Sequence, residues 1–252
     1  MTERPALKLS QLGLTARAGM DPQITGLAVD SREVQQGFVF AALPGSRVHG
    51  AKFVDQVLDQ GAVAILTDTA GAEIAGEAIA RAGAALVVAE DPRQALSGAA
   101  ALWFGGQPPV MAAVTGTNGK TSVSTFLRMI WTELGHQAVN LGTTGVEGAW
   151  SYPLAHTTPE PITLHRALAK AAQAGITHAA MEASSHGLDQ CRLDGVQLAA
   201  AGFTNFTQDH LDYHETFEAY FAAKAGLFRR VLPEEGVAVI NMDDPRGAEM
   251  RA

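Results

Sequence analysis

A glycine-rich segment with a single lysine carries residue types that suit phosphate binding. It runs from Thr115 to Ser122, between the apolar run 110–114 and the amphipathic stretch 123–134. A strand that turns through glycines into a helix directs backbone N–H groups and the positive end of the helix dipole at one point. Lys120 could then contact the outer phosphates of a nucleotide, and the Thr121 hydroxyl could bind the accompanying Mg²⁺.

The match to the usual GxxxxGKS or GxxxxGKT pattern is incomplete, because Val114 stands where the first glycine is expected. A glycine turn that merely opens a helix therefore remains an alternative. The order of strand, loop and helix, together with Lys120 and Thr121, favours nucleotide binding.

Two later segments carry oxygen and nitrogen ligands directly after predicted strands. Glu182 ends the strand THAAME, where a carboxylate could anchor a second Mg²⁺, although it could also be a solvated glutamate. The loop 207–214 is rich in possible ligands, His210 among them. Its spacing fits neither a zinc finger nor HExxH, so zinc is not favoured. One histidine could serve an oxygen-rich Mg²⁺ site, and a purely structural histidine remains the alternative.

A lysine interrupts an apolar helical stripe near the end of the chain. The stripe consists of Phe217, Tyr220, Phe221, Leu227 and Phe228. Lys224 lies among them and either extends to water or is held in the site. In the second case burial would lower its pKa and make the neutral amine reactive.

The surrounding sequence alternates between predicted strands and helices, which indicates an α/β fold with parallel sheets. Strands are predicted at 24–29, 37–43, 63–68, 85–90, 110–114, 139–144, 177–182, 196–205 and 236–240. Helices are predicted at 53–60, 73–82, 94–104, 123–134, 162–174 and 216–231. The loops at the carboxyl ends of the strands should form the site. The segment GGQPP at 105–109 predicts a boundary between domains 1–106 and 107–252.

Composition excludes several classes of function. The formal net charge of -8 argues against general affinity for nucleic acid or an anionic membrane. The single Cys191 excludes an internal disulfide and suits a reducing cytosol. The sequence has no signal peptide and no run of membrane-spanning length, so we predict a cytoplasmic protein.

Six motifs in order give the chain a resemblance to the Mur ligases of bacterial cell-wall synthesis. They are TGTNGKT, HTTPE, MEASSHGLDQCR, FTNFTQDHLDYH, the AAK of helix 216–231 and INMDD, and DSR and PGSRVHG fit as well. The likeness is greatest to the ligases that add the third residue of the peptidoglycan stem peptide. It implies ATP-dependent transfer of phosphate to UDP-N-acetylmuramoyl-L-alanyl-D-glutamate, followed by attack of a diamino acid, meso-diaminopimelate by default or L-lysine.

The resemblance also implies roles for individual residues. ATP would bind at Gly116, Thr117, Asn118, Gly119, Lys120, Thr121 and Ser122. Two Mg²⁺ ions would be held by Thr121, Glu182, His210 and a carbamylated Lys224. Lys120, Glu182, His210 and Lys224 would be catalytic. The UDP-linked substrate would contact Ser31, Ser46, Arg47, Val48, Thr157, Thr158, Ser184, Gln190 and Arg192. His156 departs from the asparagine of some relatives.

The same resemblance sets expectations for the domains. The first would bind the UDP-substrate, and the second would be an incomplete ATPase domain of the P-loop type. The third, Rossmann-like domain of the family would be absent, so we expect a monomer that binds UDP-substrate but completes little or no ligation. Another Mur ligase, a folylpolyglutamate synthase and a non-catalytic nucleotide-binding module remain alternatives.

Overall fold

The computed structural model describes residues 5–45, 47–209 and 213–251. They divide into two compact units, the first ending at Phe104 and the second beginning at Gly105, two residues before the predicted boundary. Both units combine helices with parallel strands, so the predicted α/β class is confirmed.

The first unit contains a parallel sheet with the strand order β3-β4-β5-β6. Its strands are β1 (Leu7–Lys8), β2 (Gln23–Ile24), β3 (Gly26–Ala28), β4 (Phe38–Ala41), β5 (Ala64–Thr67) and β6 (Ala85–Val88). Its helices are α1 (Val54–Asp59), α2 (Thr69–Ala82) and α3 (Pro92–Phe104), with 3₁₀ turns at Leu9–Leu12, Arg17–Gly19 and Gly50–Phe53. Buried Phe40, Val57, Ile65 and Ile79 pack between the sheet and its helices.

Two details of this unit differ from the sequence prediction. The predicted strand 24–29 is divided, because Ile24 pairs antiparallel with Leu7 in β1, whereas β3 pairs parallel with β4. Helix α2 begins before the predicted residue 73. The Asp68 carboxylate accepts a hydrogen bond from the N–H of Gly71 over 2.7 Å and so caps the helix earlier.

The second unit contains a mixed sheet with the strand order β12-β11-β7-β10-β8-β9. Its strands are β7 (Val110–Thr115), β8 (Ala138–Gly142), β9 (Gly145–Gly148), β10 (His178–Glu182), β11 (Ala200–Phe203) and β12 (Val237–Ile240). Its helices are α4 (Lys120–Glu133), α5 (Pro161–Gln173), α6 (Ser185–Asp189), α7 (Phe217–Gly226) and α8 (Gly247–Arg251). A π-helical turn, Leu227–Val231, follows α7.

Strand β7 lies between β10 and β11, and this neighbourhood creates the site. Val114 of β7 is paired with Glu182 of β10 and with Gly202 of β11. All three strands are parallel, so the loops that follow them leave the same edge of the sheet. Lys120, Glu182 and the segment after Phe203 therefore converge, although long stretches of sequence separate them.

The sequence prediction did not include β9, α6 or α8. Strand β9 pairs antiparallel with β8 after a turn at residues 143–144, and its first residue, Gly145, has a φ of 102° that suits glycine. Helix α6 starts where the Ser184 hydroxyl accepts a hydrogen bond from the N–H of Gly187. These elements are too short to give a recognisable hydrophobic period.

Buried Met111, Leu141, Leu168, Met181 and Leu227 belong to the main core of the second unit. The apolar side chains of Phe126 and Ile130 on α4, and of Leu134 at its C-terminal end, are exposed by 61%, 56% and 68%. This stripe is thus surface and not core. Among the described helices, none has both the length and the apolar character required to cross a membrane.

Candidate active site

The loop between β7 and α4 presents open backbone donors. Gly119 adopts a left-handed conformation, with φ 87°, immediately before α4 begins at Lys120. No described side chain caps this helix, so the N–H groups of its first turn face outward at the positive end of the dipole. Thr121 and Ser122 are exposed in the same turn. This arrangement suits an anion such as a phosphate.

Gly116 is required by the close approach of the neighbouring loop. Its φ is 144°, and a Cβ atom there would overlap the Thr204 hydroxyl. Gly116 therefore serves both the backbone turn and the contact with the segment after β11.

The loop between β7 and α4, residues 116–119, is called the phosphate loop below. The segment after β11 supports it through several hydrogen bonds. The Asn205 side chain accepts from the N–H of Asn118 over 3.0 Å and donates to the carbonyl of Asn118 over 3.1 Å. The Asn205 carbonyl accepts from the N–H of Thr117 over 2.9 Å. The Thr204 hydroxyl also donates to the Asn118 carbonyl, over 2.7 Å. Thr204 and Asn205 were missed as site residues, because their role depends on β11 lying beside β7, which the sequence does not show.

Thr117 faces the protein rather than the open side of the loop. Its hydroxyl lies 3.1 Å from the carbonyl oxygen of Thr207 and 3.2 Å from the hydroxyl of the buried Tyr220. The N–H of Thr207 donates to the same hydroxyl over 3.0 Å. Thr117 was predicted to bind the nucleotide. Its hydroxyl instead forms hydrogen bonds within the protein, which hold the loop in place.

Two lysines converge beneath this loop. The Nζ atom of Lys120 donates to the carbonyl oxygens of Gly116 and Thr117, each over 2.9 Å, and Nζ of Lys224 donates to Gly116 over 2.8 Å. Lys224 is only 1% exposed, so the alternative in which it extends to water is wrong. Its Nζ also lies 4.5 Å from the ring centroid of Tyr220.

Burial alters the protonation of both lysines. It lowers the pKa of Lys224 to about 7, with a further contribution from the positive charge of Lys120. Burial also lowers the pKa of Lys120, against the opposing influence of Glu182 and Asp209. Near neutral pH a large fraction of Lys224 is therefore the neutral amine.

Among the residues of the predicted apolar stripe on α7, Phe217 departs from the prediction, because it is 37% exposed.

Glu182 is buried at the carboxyl end of β10. It is only 2% exposed, so the alternative of a solvated glutamate is wrong. Its Oε1 accepts from the N–H of Thr143 over 3.3 Å, and a Cβ atom at Gly142 would overlap this oxygen. The charges of Glu182 and Asp209 both raise the pKa of Lys120, which places two carboxylates in its electrostatic environment. Sequence reasoning did not single out Asp209.

Thr158 and Ser184 are tied to the carboxyl end of β10. The Thr158 hydroxyl donates to the carbonyl of Glu182 over 3.0 Å and accepts from the N–H of Ser184 over 3.1 Å. The Ser184 hydroxyl caps α6. These two predicted substrate contacts therefore also fix the backbone around Glu182. Thr157 lies beside them, with its hydroxyl 3.0 Å from that of Thr143.

Gln190 and Arg192 form one polar group after α6. Arg192 donates to Oε1 of Gln190 over 2.7 Å, and Gln190 donates to the hydroxyl of Tyr213 over 3.0 Å. The Tyr213 hydroxyl donates in turn to the Asp189 carboxylate over 2.8 Å. The two predicted residues thus lie together, and the structure adds Tyr213 to them.

A separate cleft of about 680 Å³ lies in the first unit. Residues after the carboxyl ends of β3 and β4 line it, including Ser31, Arg32 and Val48. The Asp30 carboxylate accepts hydrogen bonds from Nε and Nη2 of Arg32, and this partner lowers the pKa of Asp30 to about 2. Residues 30–32 and Val48, from the two segments predicted to bind the UDP-substrate, thus line the same cleft. Arg47 is exposed, and Ser46 lies outside the described residues.

The available oxygen donors suit Mg²⁺. Thr121 supplies an exposed hydroxyl and Glu182 a buried carboxylate, both hard ligands. The described part of the chain holds no group of three His, Cys, Asp or Glu side chains placed to bind a metal. His210, a predicted ligand, lies outside the described residues.

Together, the fold and the site define an α/β protein of two units: the second carries a strand, loop and helix of the P-loop type, and the first has its own cleft. Residues 114–252 match the family model described as Mur ligase middle domain, and residues 23–103 match Mur ligase family, catalytic domain. The chain belongs to the Mur ligase family, and the resemblance found in the sequence is confirmed.

Two curated relatives show which members of the family the chain is similar to. The UDP-N-acetylmuramoyl-L-alanyl-D-glutamate–2,6-diaminopimelate ligase of Brucella melitensis is 52% identical over 228 residues, which are 90% of this chain and 46% of that protein. The ligase of the same name from Bradyrhizobium diazoefficiens is 49% identical over 230 residues, 90% of this chain and 45% of that protein. The chain therefore spans about half the length of these curated relatives.

A solved structure of a UDP-N-acetylmuramoyl-L-alanyl-D-glutamate–2,6-diaminopimelate ligase is also similar. It is 33% identical with a TM-score of 0.81, and the match covers 98% of this chain and 49% of that one. MurF from Acinetobacter baumannii has a TM-score of 0.60 at 23% identity, covering 98% of this chain and 52% of that one. The second match shows the shared fold alone.

Proposed function

We propose that this chain provides the UDP-substrate cleft and the ATP site of an ATP-dependent ligase of peptidoglycan synthesis. The ligase adds a third amino acid, meso-diaminopimelate, to UDP-N-acetylmuramoyl-L-alanyl-D-glutamate. The similarity to ligases of that name supports the substrate assignment. The observation that carries the proposal is the convergence of Lys120, Lys224 and Glu182 around an uncapped helix N-terminus.

The chemistry begins with the D-glutamate side chain of the substrate. A carboxylate resists attack by an amine until its oxygen becomes a good leaving group. Transfer of the γ-phosphoryl group of ATP to this carboxylate gives an acyl phosphate and ADP. The neutral amine of the diamino acid then attacks the acyl carbon and gives up one proton to the solvent, the amide bond forms, and phosphate leaves with the carbon–oxygen bonding pair.

The residues of the chain contribute positioning and charge to phosphoryl transfer. The open N–H groups of α4 and the ammonium of Lys120 neutralise the phosphates, a contribution that is largest in a partly buried site. Mg²⁺ would supply further charge neutralisation, and Thr121 and Glu182 fit as holders of two ions, with His210 as another ligand. Donors held in place by the segment after β11 need little reorganisation during the reaction.

Lys224 takes a different role in this proposal. Its neutral amine adds CO₂ and loses a proton, which converts the side chain into a carbamate anion. Such an anion would support the second Mg²⁺ in place of a carboxylate. Support comes from the burial of Lys224 and from its pKa of about 7, since only the neutral amine can add CO₂.

The cleft of the first unit would hold the uridine diphosphate part of the substrate. The exposed guanidinium of Arg32 and the hydroxyl of Ser31 offer donors for a diphosphate, while Phe40 and Phe53 add apolar lining. Thr157, Thr158, Ser184, Gln190 and Arg192 are proposed to contact the muramoyl dipeptide. We place the ligase in the cytoplasm, a location that the single Cys191 supports, and we expect it to act as a monomer.

Calorimetric titration tests the binding part of this function. The chain is expected to bind UDP-N-acetylmuramoyl-L-alanyl-D-glutamate and, with Mg²⁺ present, ATP. Lys120→Met should weaken ATP binding by about tenfold or more, the scale of a lost charge-assisted contact, and leave the UDP-substrate unaffected. Lys170→Met, at an exposed lysine of α5, is the matched control. A wild-type chain that binds neither ligand would contradict the proposal.

Phosphate release tests the reaction itself. With ATP, Mg²⁺ and the UDP-dipeptide, release should depend on a diamino acid, and comparison of meso-diaminopimelate with L-lysine identifies the third residue. Binding of ATP without acyl-phosphate formation would favour the non-catalytic nucleotide-binding alternative. The low activity expected of this chain alone stays a prediction, and the same assay measures it.

A further inference from the structure

The INMDD segment is the one motif of the resemblance that the proposed function does not use. Asn241, which directly follows β12, donates from its side chain to the carbonyl of Thr204 over 2.7 Å. Its backbone N–H donates to the carbonyl of Phe203 over 3.1 Å. The Asp244 carboxylate, 9% exposed, accepts from the N–H of Phe206 over 2.8 Å. Two polar side chains after β12 thus hold the backbone after β11.

The held segment is the one that supports the phosphate loop. Thr204, which Asn241 holds, and Asn205, which follows it, bond the backbone of Asn118 and Thr117. The hydrogen bonds therefore run from the end of β12, through residues 204–207, to the loop that precedes Lys120. No step of this path requires a ligand.

Asp244 also connects to the helix that carries Lys224. Its second oxygen accepts from the N–H of Arg246 over 2.9 Å. The guanidinium of Arg246 lies 4.1 Å from the ring centroid of Phe221 and pairs with Glu218 over 2.7 Å, both on α7. The turn after β12 therefore contacts both the segment that supports the loop before Lys120 and the helix α7 that carries Lys224.

We propose that Asp244 and Asn241 are positioning residues for phosphoryl transfer, which fix the phosphate loop through residues 204–207 without touching the nucleotide. The loop needs such support because Gly116 and Gly119 give it little conformational restriction of its own. Fixed N–H donors stabilise developing charge without reorganisation. The proposal rests on the proposed function only for the identity of the loop's ligand as ATP.

Amide hydrogen exchange in the chain without nucleotide tests the structural coupling. In Asp244→Ala, amides of residues 203–207 and also of 114–119 should exchange about three- to tenfold faster, the factor expected for one hydrogen bond. Asp244→Asn keeps an acceptor oxygen and should restore most of the protection. The amides of α5 should not change in either variant.

Asp243→Ala is the matched control, because this exposed neighbour makes no side-chain hydrogen bond to the described residues. It should leave the exchange of residues 114–119 unchanged. Faster exchange confined to 203–207 and 241–250 would overturn the proposal, since it would show a purely local role. If Asp244→Ala unfolds the chain, the amides of α5 will exchange faster too. In that case Asn241→Ala and Asp244→Asn replace it, and the test is again whether exchange changes in residues 114–119 or only in 203–207 and 241–250.

A second measurement separates this inference from the proposed function. Titration with a fluorescent ATP analogue should show about three- to tenfold weaker binding in Asn241→Ala and a partial recovery in Asp244→Asn relative to Asp244→Ala. UDP binding should be equal in all variants. If the wild type binds no ATP but the exchange coupling is present, the proposed function fails and the positioning relationship stands. Unchanged ATP affinity in the variants of a binding-competent chain would overturn the positioning role.

Discussion

Lys120 and Lys224 donate hydrogen bonds to the same carbonyl oxygen, that of Gly116, over 2.9 and 2.8 Å. They come from different helices, α4 and α7, and 103 residues of chain lie between them by number. Burial of two amines in one place favours deprotonation of one of them. Lys224 has the pKa of about 7, so it is the one that becomes neutral first.

We expect Lys224 to be carbamylated. With ¹³C-labelled bicarbonate, the chain should give a protein-bound carbamate signal in ¹³C NMR, because a neutral buried amine adds CO₂. Lys224→Arg should remove the signal, since a guanidinium stays protonated. Lys170→Arg, at an exposed lysine, should retain it. A signal of full intensity in Lys224→Arg would refute the carbamate.

The two glycines of the phosphate loop should differ in their tolerance of alanine. Gly119→Ala places a side chain at φ 87°, where its Cβ would meet Thr204 only at an ordinary contact distance, and should cost about 1–2 kcal/mol in the free energy of unfolding. Gly116→Ala should cost more, because its Cβ also overlaps the Thr204 hydroxyl. Urea denaturation measures both.

Gly119→Asn provides the control, since asparagine adopts left-handed backbone more readily than alanine. It should be less destabilising than Gly119→Ala. Equal stability of Gly116→Ala and the wild type would contradict the close packing of the two loops.

Asp30→Ala should weaken UDP binding while leaving the free energy of unfolding within about 0.5 kcal/mol. The Arg32 side chain is 83% exposed, so its ion pair with Asp30 contributes little to stability. The orientation of the Arg32 guanidinium in the cleft, however, depends on the Asp30 carboxylate. Calorimetry with UDP measures the affinity. Asp21→Ala, which removes the pair with Lys8 elsewhere in the first unit, should leave it unchanged.

His165 should make the chain less stable in mild acid. Burial in α5 lowers its pKa from 6.5 to about 4, and its Nε2 has no hydrogen-bond partner among the described residues. The unfolded state takes up the proton near pH 6.5, so stability falls as the pH drops from 6.5 to about 4. The full loss is up to about 3 kcal/mol at 1.36 kcal/mol for each unit of pKa.

His165→Leu should flatten this dependence in urea denaturation at pH 7, 5.5 and 4.5, values that cover most of the window of about 4 to 6.5. His156→Gln, at an exposed histidine, is the control and should keep the wild-type slope. The same slope in His165→Leu would mean that another group causes the acid sensitivity.

Strand and helix alternation in the sequence was sufficient to predict most of the parallel sheet, because buried strands and amphipathic helices have distinct hydrophobic periods. Elements of only four or five residues were not predicted in this way. Strand β9 and helix α6 are defined by a left-handed glycine and a serine cap, which are local signals without a period. The support of the phosphate loop by Asn205 could not be predicted either, since it depends on β11 lying beside β7.

The sequence by itself determined the phosphate loop, the family and the two-unit organisation, because these are encoded in contiguous motifs and in a Gly-Pro segment. Only the tertiary structure decided which alternative holds for Glu182 and Lys224. Burial and neighbouring charge depend on strand order, and residues that are distant in sequence share an environment only after the sheet has formed. The parallel arrangement of β10, β7 and β11 is the physical reason that these groups meet.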